Sequence, residues 1–264
     1  MDEARVVATL RSAGCVFAEE EASLLIAHAA DDAELSRLVA RRVAGEPLEQ
    51  IVGWAEFAGL RIAVAPGLFV PRRRTQLMAS LAITAARGAS ARRTVVVDLC
   101  CGVGAVGLVI ATQVAHTELY SSDLDAAAAE CARANLSGLA AGVYCGDLFD
   151  PLPEHLRGRV DVLVANAPYV PTEAIAGLPP EARDHENHLA LDGGRYGLDI
   201  IRRIAAGAPS WLTPGGTLFV ETSDEQAAAA AAAFAHNGLE ARVECDEDLA
   251  ATVVAGRAPL SLPA

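Results

Sequence analysis

Asn166, Ala167, Pro168 and Tyr169 stand in a row, directly after an apolar stretch, Val160 to Val164, that is interrupted only by Asp161. A turn would account for the proline, and an Asx hydrogen bond for the asparagine. Neither asks for all four groups together. Asn166 brings a side-chain oxygen, Ala167 a backbone carbonyl and Tyr169 a flat ring. Two adjacent acceptors suit a planar –NH2, as in a carboxamide or the amino group of a base, and the ring offers a face for it to lie against.

A second constellation lies upstream. In DLCCGVGAVG, Gly102, Gly104 and Gly107 form a GxGxxG just after an apolar run that ends near Asp98. That pattern makes a tight turn and lets backbone N–H groups and a helix N-terminus approach a ligand. Asp123 follows Gly104 by 19 residues, at the end of the next strand pattern, with Leu124 behind it. A carboxylate there can accept from both ribose hydroxyls. Asp147 and Leu148 end a third strand pattern and would suit an adenine's amino group and ring face. An N-cap or turn aspartate is the competing account of Asp147. Asp98, Cys101, Gly102, Gly104, Asp123, Leu124, Asp147, Leu148 and Asn166 are therefore the expected cofactor-binding residues. The glycines and acids do not separate NAD from S-adenosylmethionine. The acceptor pair does, because hydride transfer has no need of it, so methyl transfer from S-adenosylmethionine is expected.

The elements that must position these groups are legible in the rhythm of the chain. Residues 1 to about 45 carry apolar residues at helical spacing, with Gly45 as a stop. EQIVGWAEFAGLRIAVAPG predicts two short strands around Ala58-Gly59, and RRRTQLMASLAITAARGA a connecting helix that ends at Ala89. From Thr94 strands and helices alternate: TVVVDL, a helix from near Ala105, TELYSSD, AAAAECARANL, GVYCGD, RVDVLVAN and GGTLFVET. Such alternation implies a parallel sheet wound on both faces. LEARVEC and ATVVAG are joined by a few residues only and should form an antiparallel hairpin. The expected fold is α/β: a doubly wound seven-stranded sheet of the class I methyltransferase type with a small helical N-terminal domain. The expected division is residues 1–70 for the helical module with its hairpin connector, and 71–264 for the cofactor domain.

At these residues the sequence resembles the protein-glutamine methyltransferases that modify peptide-chain release factors (HemK/PrmC type). GEPLEQIVGWAEFAGLRIAVAPGLFVPRRRTQLM is similar to that family's interdomain segment. DLCCGVGAVGL is similar to its cofactor loop and NAPY to its NPPY signature. LPPEARDHENHLALDGGRYGLDIIRRI and LTPGGTLFVETSDEQ are similar to the segments beyond it. The resemblance implies a glutamine amide nitrogen as methyl acceptor, with Asn166, Ala167, Pro168 and Tyr169 as the catalytic motif and a protein or peptide as partner. Three departures stand out. Alanine replaces the first proline of NPPY but keeps its carbonyl. Cys100 stands where a glycine is common. PRRRT replaces a PRPET-like segment, so Arg73 and Arg74 take the places of a proline and an acid. Arg72, Arg73 and Arg74 are expected at the substrate entrance, and the charge reversal suggests a target other than release factors. The competing readings are methylation of a metabolite or nucleic-acid base, and a binding module without catalysis.

Composition narrows the field. Of the 264 residues 52% are hydrophobic and the net charge is −13, which counts against non-specific nucleic-acid binding. The six cysteines include no CxxC pair, which suggests neither a disulfide framework nor a zinc site but a reducing cytoplasm. No signal-peptide pattern opens the chain. Asp98 and the glycines of the apolar run 95–115 argue for strand, turn and helix rather than a membrane span. His185 and His188 have spacing that could suit a metal, but no third ligand accompanies them, and no metal is expected.

Overall fold

The computed structural model describes residues 1–88 and 93–260; Ala89 of the expected connecting helix and the last four residues of the expected cofactor domain lie outside the described residues. The chain opens with helices α1 (Glu3–Ser12), α2 (Ala18–His28), α3 (Asp32–Val43) and the short α4 (Leu48–Val52). Asp2 and Asp31 cap α1 and α3 by accepting the N–H groups of Arg5 and Glu34, donors that a helix start otherwise leaves unpaired. These helices share an apolar cluster that includes Val6, Leu10, Leu25, Leu38 and Ile51. A hairpin follows, β1 (Trp54–Phe57) against β2 (Leu60–Ala63). Both of its turn residues, Ala58 and Gly59, take positive φ, which matches the strand twist in so short a turn.

Helix α5 (Gln76–Gly88) leads into the main sheet. In chain order there follow β3 (Thr94–Leu99), α6 (Ala105–Gln113), β4 (Thr117–Asp123), α7 (Ala126–Asn135), β5 (Ala141–Cys145) and β6 (Val160–Ala165). Then come α8 (Pro180–His185), α9 (Asp199–Gly207), β7 (Leu212–Thr222), α10 (Asp224–His236), β8 (Glu240–Asp246) and β9 (Ala251–Arg257). The seven strands lie in the order β5-β4-β3-β6-β7-β9-β8. The first five run parallel, and β9 is antiparallel to both β7 and β8. This is the doubly wound sheet of class I methyltransferases.

Every residue of β3 and β6 is buried. Both faces of these strands are covered, which is why they read as unbroken apolar runs rather than alternating ones. Alternation along the strand sends Val95, Val97 and Leu99 to the side of Ile201, Ile204 and Phe234 on α9 and α10. Val96, Val162 and Val164 go to the side of Met78, Ala82, Val109 and Ile110 on α5 and α6. The strand order reverses at β3, which pairs with β4 on one side and β6 on the other. The carboxyl ends of these three strands therefore open on one crevice, the place where open α/β sheets bind ligands.

Candidate active site

Asp98, next to last in β3, is 1% exposed, and its carboxyl accepts the N–H of Gly107 at 3.0 Å. Burial pushes its pKa up to about 7, and the hydrogen bond offsets part of that rise. The loop that follows turns through three positive φ values: Cys100 at 52°, Gly102 at 53° and Gly104 at 80°. A cysteine there adopts a conformation that few non-glycine residues take. Gly104 is the N-cap of α6, and a Cβ on it would lie 3.2 Å from Ala132 Cβ and 3.3 Å from Leu136 Cδ1. Its bareness thus serves the packing of the loop on α7. A Cβ on Gly102 would meet nothing within 4 Å, so that side of the loop is clear for a ligand.

Asp123 holds the loop in shape. Its Oδ2 accepts the N–H of Gly102 at 2.8 Å and its Oδ1 accepts that of Asp125 at 2.9 Å. Each oxygen keeps a second lone pair for a ligand hydroxyl. Burial raises its pKa from the usual carboxylate range, and the backbone hydrogen bonds act against that. Three residues beyond β5, Leu148 has φ 48°, and its carbonyl accepts from Ser122 Oγ at 2.7 Å. Asp147, suited from the sequence to an adenine's amino group, lines the cleft and pairs with Arg203 of α9 at 2.7 Å. A ligand must share Asp147 with that guanidinium.

Across the crevice, Asn166 Nδ2 donates to Thr75 Oγ1 at 3.4 Å. The donor end of the amide is therefore turned toward Thr75. Asn166 Oδ1 and the Ala167 carbonyl accept no hydrogen bond from the described residues, although Ala167 is only 1% exposed. Two neighbouring acceptors remain available. The Tyr169 hydroxyl donates to Glu221 Oε1 at 3.0 Å, and Arg74 Nε donates to the same oxygen at 3.0 Å. Glu221 is 1% exposed, and its Oε2 has no partner among the described residues. Burial, with Glu221 alongside, pushes the Tyr169 hydroxyl well above its usual pKa.

The three arginines separate. Arg72 pairs with buried Glu186, which also accepts the N–H of Val70 at 3.1 Å. Arg74 pairs with buried Glu221, and Arg73 is exposed and lies outside the cleft wall. Of the three residues expected at the entrance, Arg72 and Arg74 line the cleft, each paired with a buried carboxylate, and Arg73 does not line it.

The cleft between these two sides has a volume of about 530 Å³, within the usual range for a small-molecule site. Apart from Gly104 and Arg73, every expected site residue lines it. Residues 178, 179, 181, 182 and 187–192 form another wall. They are anchored on both sides. Asn187 Nδ2 donates to Asp125 Oδ2 at 2.7 Å. From the helical module, buried Gln50 donates to the carbonyls of Leu68 at 2.8 Å and His185 at 3.2 Å, and accepts the Gly67 N–H at 3.0 Å. Arg42 adds an ion pair to Glu181 at 2.8 Å. Thr75, Glu221, Arg203, Asn187 and Gln50 were not singled out from the sequence. Glu221 had a usable signal, being the one acid in the apolar strand GTLFVET.

Comparison with known proteins places this geometry in a lineage. A family model described as methyltransferase small domain matches residues 64–177. The release factor glutamine methyltransferase of Mycolicibacterium smegmatis is 37% identical over 260 residues, 92% of this chain and 90% of that protein. The 4-amino-L-phenylalanine/4-methylamino-L-phenylalanine methyltransferase of Streptomyces pristinaespiralis is 39% identical over 203 residues, 76% of this chain and 69% of that one. A solved methyltransferase from Pyrococcus furiosus superimposes with a TM-score of 0.58 at 16% identity, covering 85% of this chain and 99% of the other, and so shares the fold. Identity sustained over nearly the whole of both chains, helical module included, shows that the chain belongs to the family of release factor glutamine methyltransferases.

Proposed function

We propose that the protein transfers the methyl group of S-adenosylmethionine to the side-chain amide nitrogen of a glutamine in a protein. The observation that carries this reading is the pair of available acceptors, Asn166 Oδ1 and the Ala167 carbonyl, in the same cleft as the glycine loop. The cofactor's place is on the loop side. Asp98, Cys101, Gly102, Asp123, Leu124, Asp147 and Leu148 would hold it, and Gly104 would act through the loop's shape. The clear flank of Gly102 and the buried Asp98 carboxyl fit a cationic nucleoside there. When bound, S-adenosylmethionine supplies an electrophilic methyl on a sulfonium sulfur.

The protein's own task is to make an amide nitrogen nucleophilic. That nitrogen is a weak nucleophile because its lone pair is delocalised into the carbonyl. Accepting both of its N–H groups at Asn166 and Ala167 pushes density back onto nitrogen and fixes its direction. Positioning of this kind is worth several kcal/mol or more, and fixed dipoles add stabilisation of the charge that develops. Thr75 aims Asn166 by occupying its donor end, and Pro168 stiffens the turn. Tyr169 offers its ring face to the amide plane and has no part as a base, because burial and Glu221 keep its hydroxyl protonated. The nitrogen loses its extra proton after transfer.

The helical module (1–70) and the cofactor domain (71–264) are proposed to act together, since Gln50 and Arg42 brace the wall that faces the acceptor. No helix among the described residues is long and apolar enough to cross a membrane, and a cytoplasmic setting is part of this reading. The test is incubation of the purified protein with labelled S-adenosylmethionine and the host's release factors, followed by mass spectrometry of the modified peptide. Because the Streptomyces pristinaespiralis relative is named for an amino-acid substrate, aromatic amino acids bearing a ring amine form a second arm. Label confined to a glutamine-containing peptide supports the proposal; label confined to the free amino acid refutes it.

A further inference from the structure

Arg74 differs from the other arginines of the cleft. Arg72 is 29% exposed, paired with Glu186 and stacked over Phe69 with 5.0 Å to the ring centre. Arg203 stands on the cofactor side, against Asp147. Arg74 stands on the acceptor side. Its chain neighbour Thr75 touches Asn166, and its Nε shares Glu221 Oε1 with the Tyr169 hydroxyl. Its guanidinium carbon lies 5.8 Å from the Tyr169 ring centre. The side chain lines the cleft and is 44% exposed.

A guanidinium has five N–H donors in a rigid planar fork. Glu221 takes the Nε edge. The Nη atoms bond no carboxylate or carbonyl among the described residues; besides Glu221, the group the guanidinium interacts with is the Tyr169 hydroxyl. The end-on Nη1/Nη2 edge is one of the two edges of a guanidinium that can meet a carboxylate with two parallel hydrogen bonds. Buried Glu221 and the Tyr169 ring together hold the fork in one orientation, so little side-chain freedom is lost when an anion arrives.

We propose that Arg74 is a specificity-determining residue that receives a carboxylate of the methyl acceptor. The acceptor nitrogen would then lie at Asn166 and Ala167 while an acidic group, from a residue beside the glutamine, sits on the Arg74 fork. The nitrogen half of this statement rests on the function proposed above. The carboxylate half rests on Arg74 alone.

Paired glutamine peptides test it, identical except that Glu or Asp flanking the acceptor is replaced by Gln or Asn. The wild-type enzyme should favour the acidic peptide by about tenfold or more in kcat/KM, chiefly through KM. Arg74→Gln should lose the preference while binding S-adenosylhomocysteine as before, and Arg74→Lys should recover part of it. Arg74→Glu should favour peptides with a flanking Lys. Two results would overturn the proposal: wild-type enzyme indifferent to the flanking charge, or Arg74→Gln slowed equally on every peptide, which would mean that the arginine serves only to hold Tyr169. If an amino acid with a ring amine is methylated and no glutamine peptide is, the glutamine reading fails. Comparing that amino acid with its carboxamide, in wild type and Arg74→Gln, then decides the role of Arg74 by the same two outcomes.

Discussion

Asp123→Asn separates two roles of one carboxylate. At an exposed site this exchange is mild. Here both oxygens accept a backbone N–H, Gly102 at 2.8 Å and Asp125 at 2.9 Å. An asparagine has one oxygen, so its –NH2 must face one of those donors. Hydrogen bonds to charged groups are worth about 1.5–3 kcal/mol, and an orphaned buried donor costs about 1–3 kcal/mol. Asp123 keeps some access to water, so the lower ends apply: roughly 2 kcal/mol of stability, or about 4–8 °C in Tm for a chain of this size. Loss of the charged acceptor for ribose hydroxyls should weaken S-adenosylhomocysteine binding by about 1–3 kcal/mol, roughly 5- to 150-fold. Asp123→Ala leaves both N–H groups without their acceptor, so it should cost more stability than Asp123→Asn while weakening binding by a similar amount. Differential scanning calorimetry and isothermal titration measure the two quantities. An Asp123→Asn variant with wild-type Tm and affinity within threefold would refute the account of Asp123 as both loop clamp and cofactor acceptor.

Asn166→Ala should lower turnover by about 10²–10³-fold or more, in the range of lost preorganised polar groups, with cofactor binding within threefold; near-normal turnover would sink the acceptor mechanism. Asp98 has a folded pKa of about 7, above its unfolded value, so the folded apo protein holds a proton that the unfolded chain has lost between those values. Stability from this group therefore falls as pH rises from about 4 to about 7, and Asp98→Asn should flatten that slope in urea titrations. Binding of the cationic cofactor should favour the ionised carboxyl and release protons near pH 7, an effect visible by calorimetry in buffers of different ionisation enthalpy and absent in Asp98→Asn. Gln50→Ala strips three backbone groups of their partner and should cost about 2–4 kcal/mol. Its acceptor KM should rise while cofactor affinity holds, and a change in cofactor affinity alone would show that the wall at residues 178–192 belongs to the other half of the cleft.

The strands and helices of the cofactor domain were legible because their apolar periods are clean. TVVVDL and TELYSSD coincide with β3 and β4, and the alternation of elements implied a parallel sheet before any pairing was known. Loop and strand-end residues were legible for a related reason. In a doubly wound sheet the strand ends must meet at one crevice, so Asp98, Asp123, Leu148 and Asn166 could be assigned to one site from their places at strand ends alone. What linear order does not carry is which distant side chain reaches which group. Arg74 and Glu221 are separated by 147 residues, and Gln50 and the His185 carbonyl by 135. From the sequence, PRRRT is a run of three like charges. Only the packing of α5 against β7 turns Arg74 onto a buried carboxylate, and only the path of residues 67–72 beside Glu186 pairs Arg72. The same holds for Asp147, whose partner lies on a helix that starts 52 residues later in the chain. Periodicity reports how each segment meets the core, whereas charge pairing depends on side-chain directions after the core has closed, and tertiary structure alone decides it.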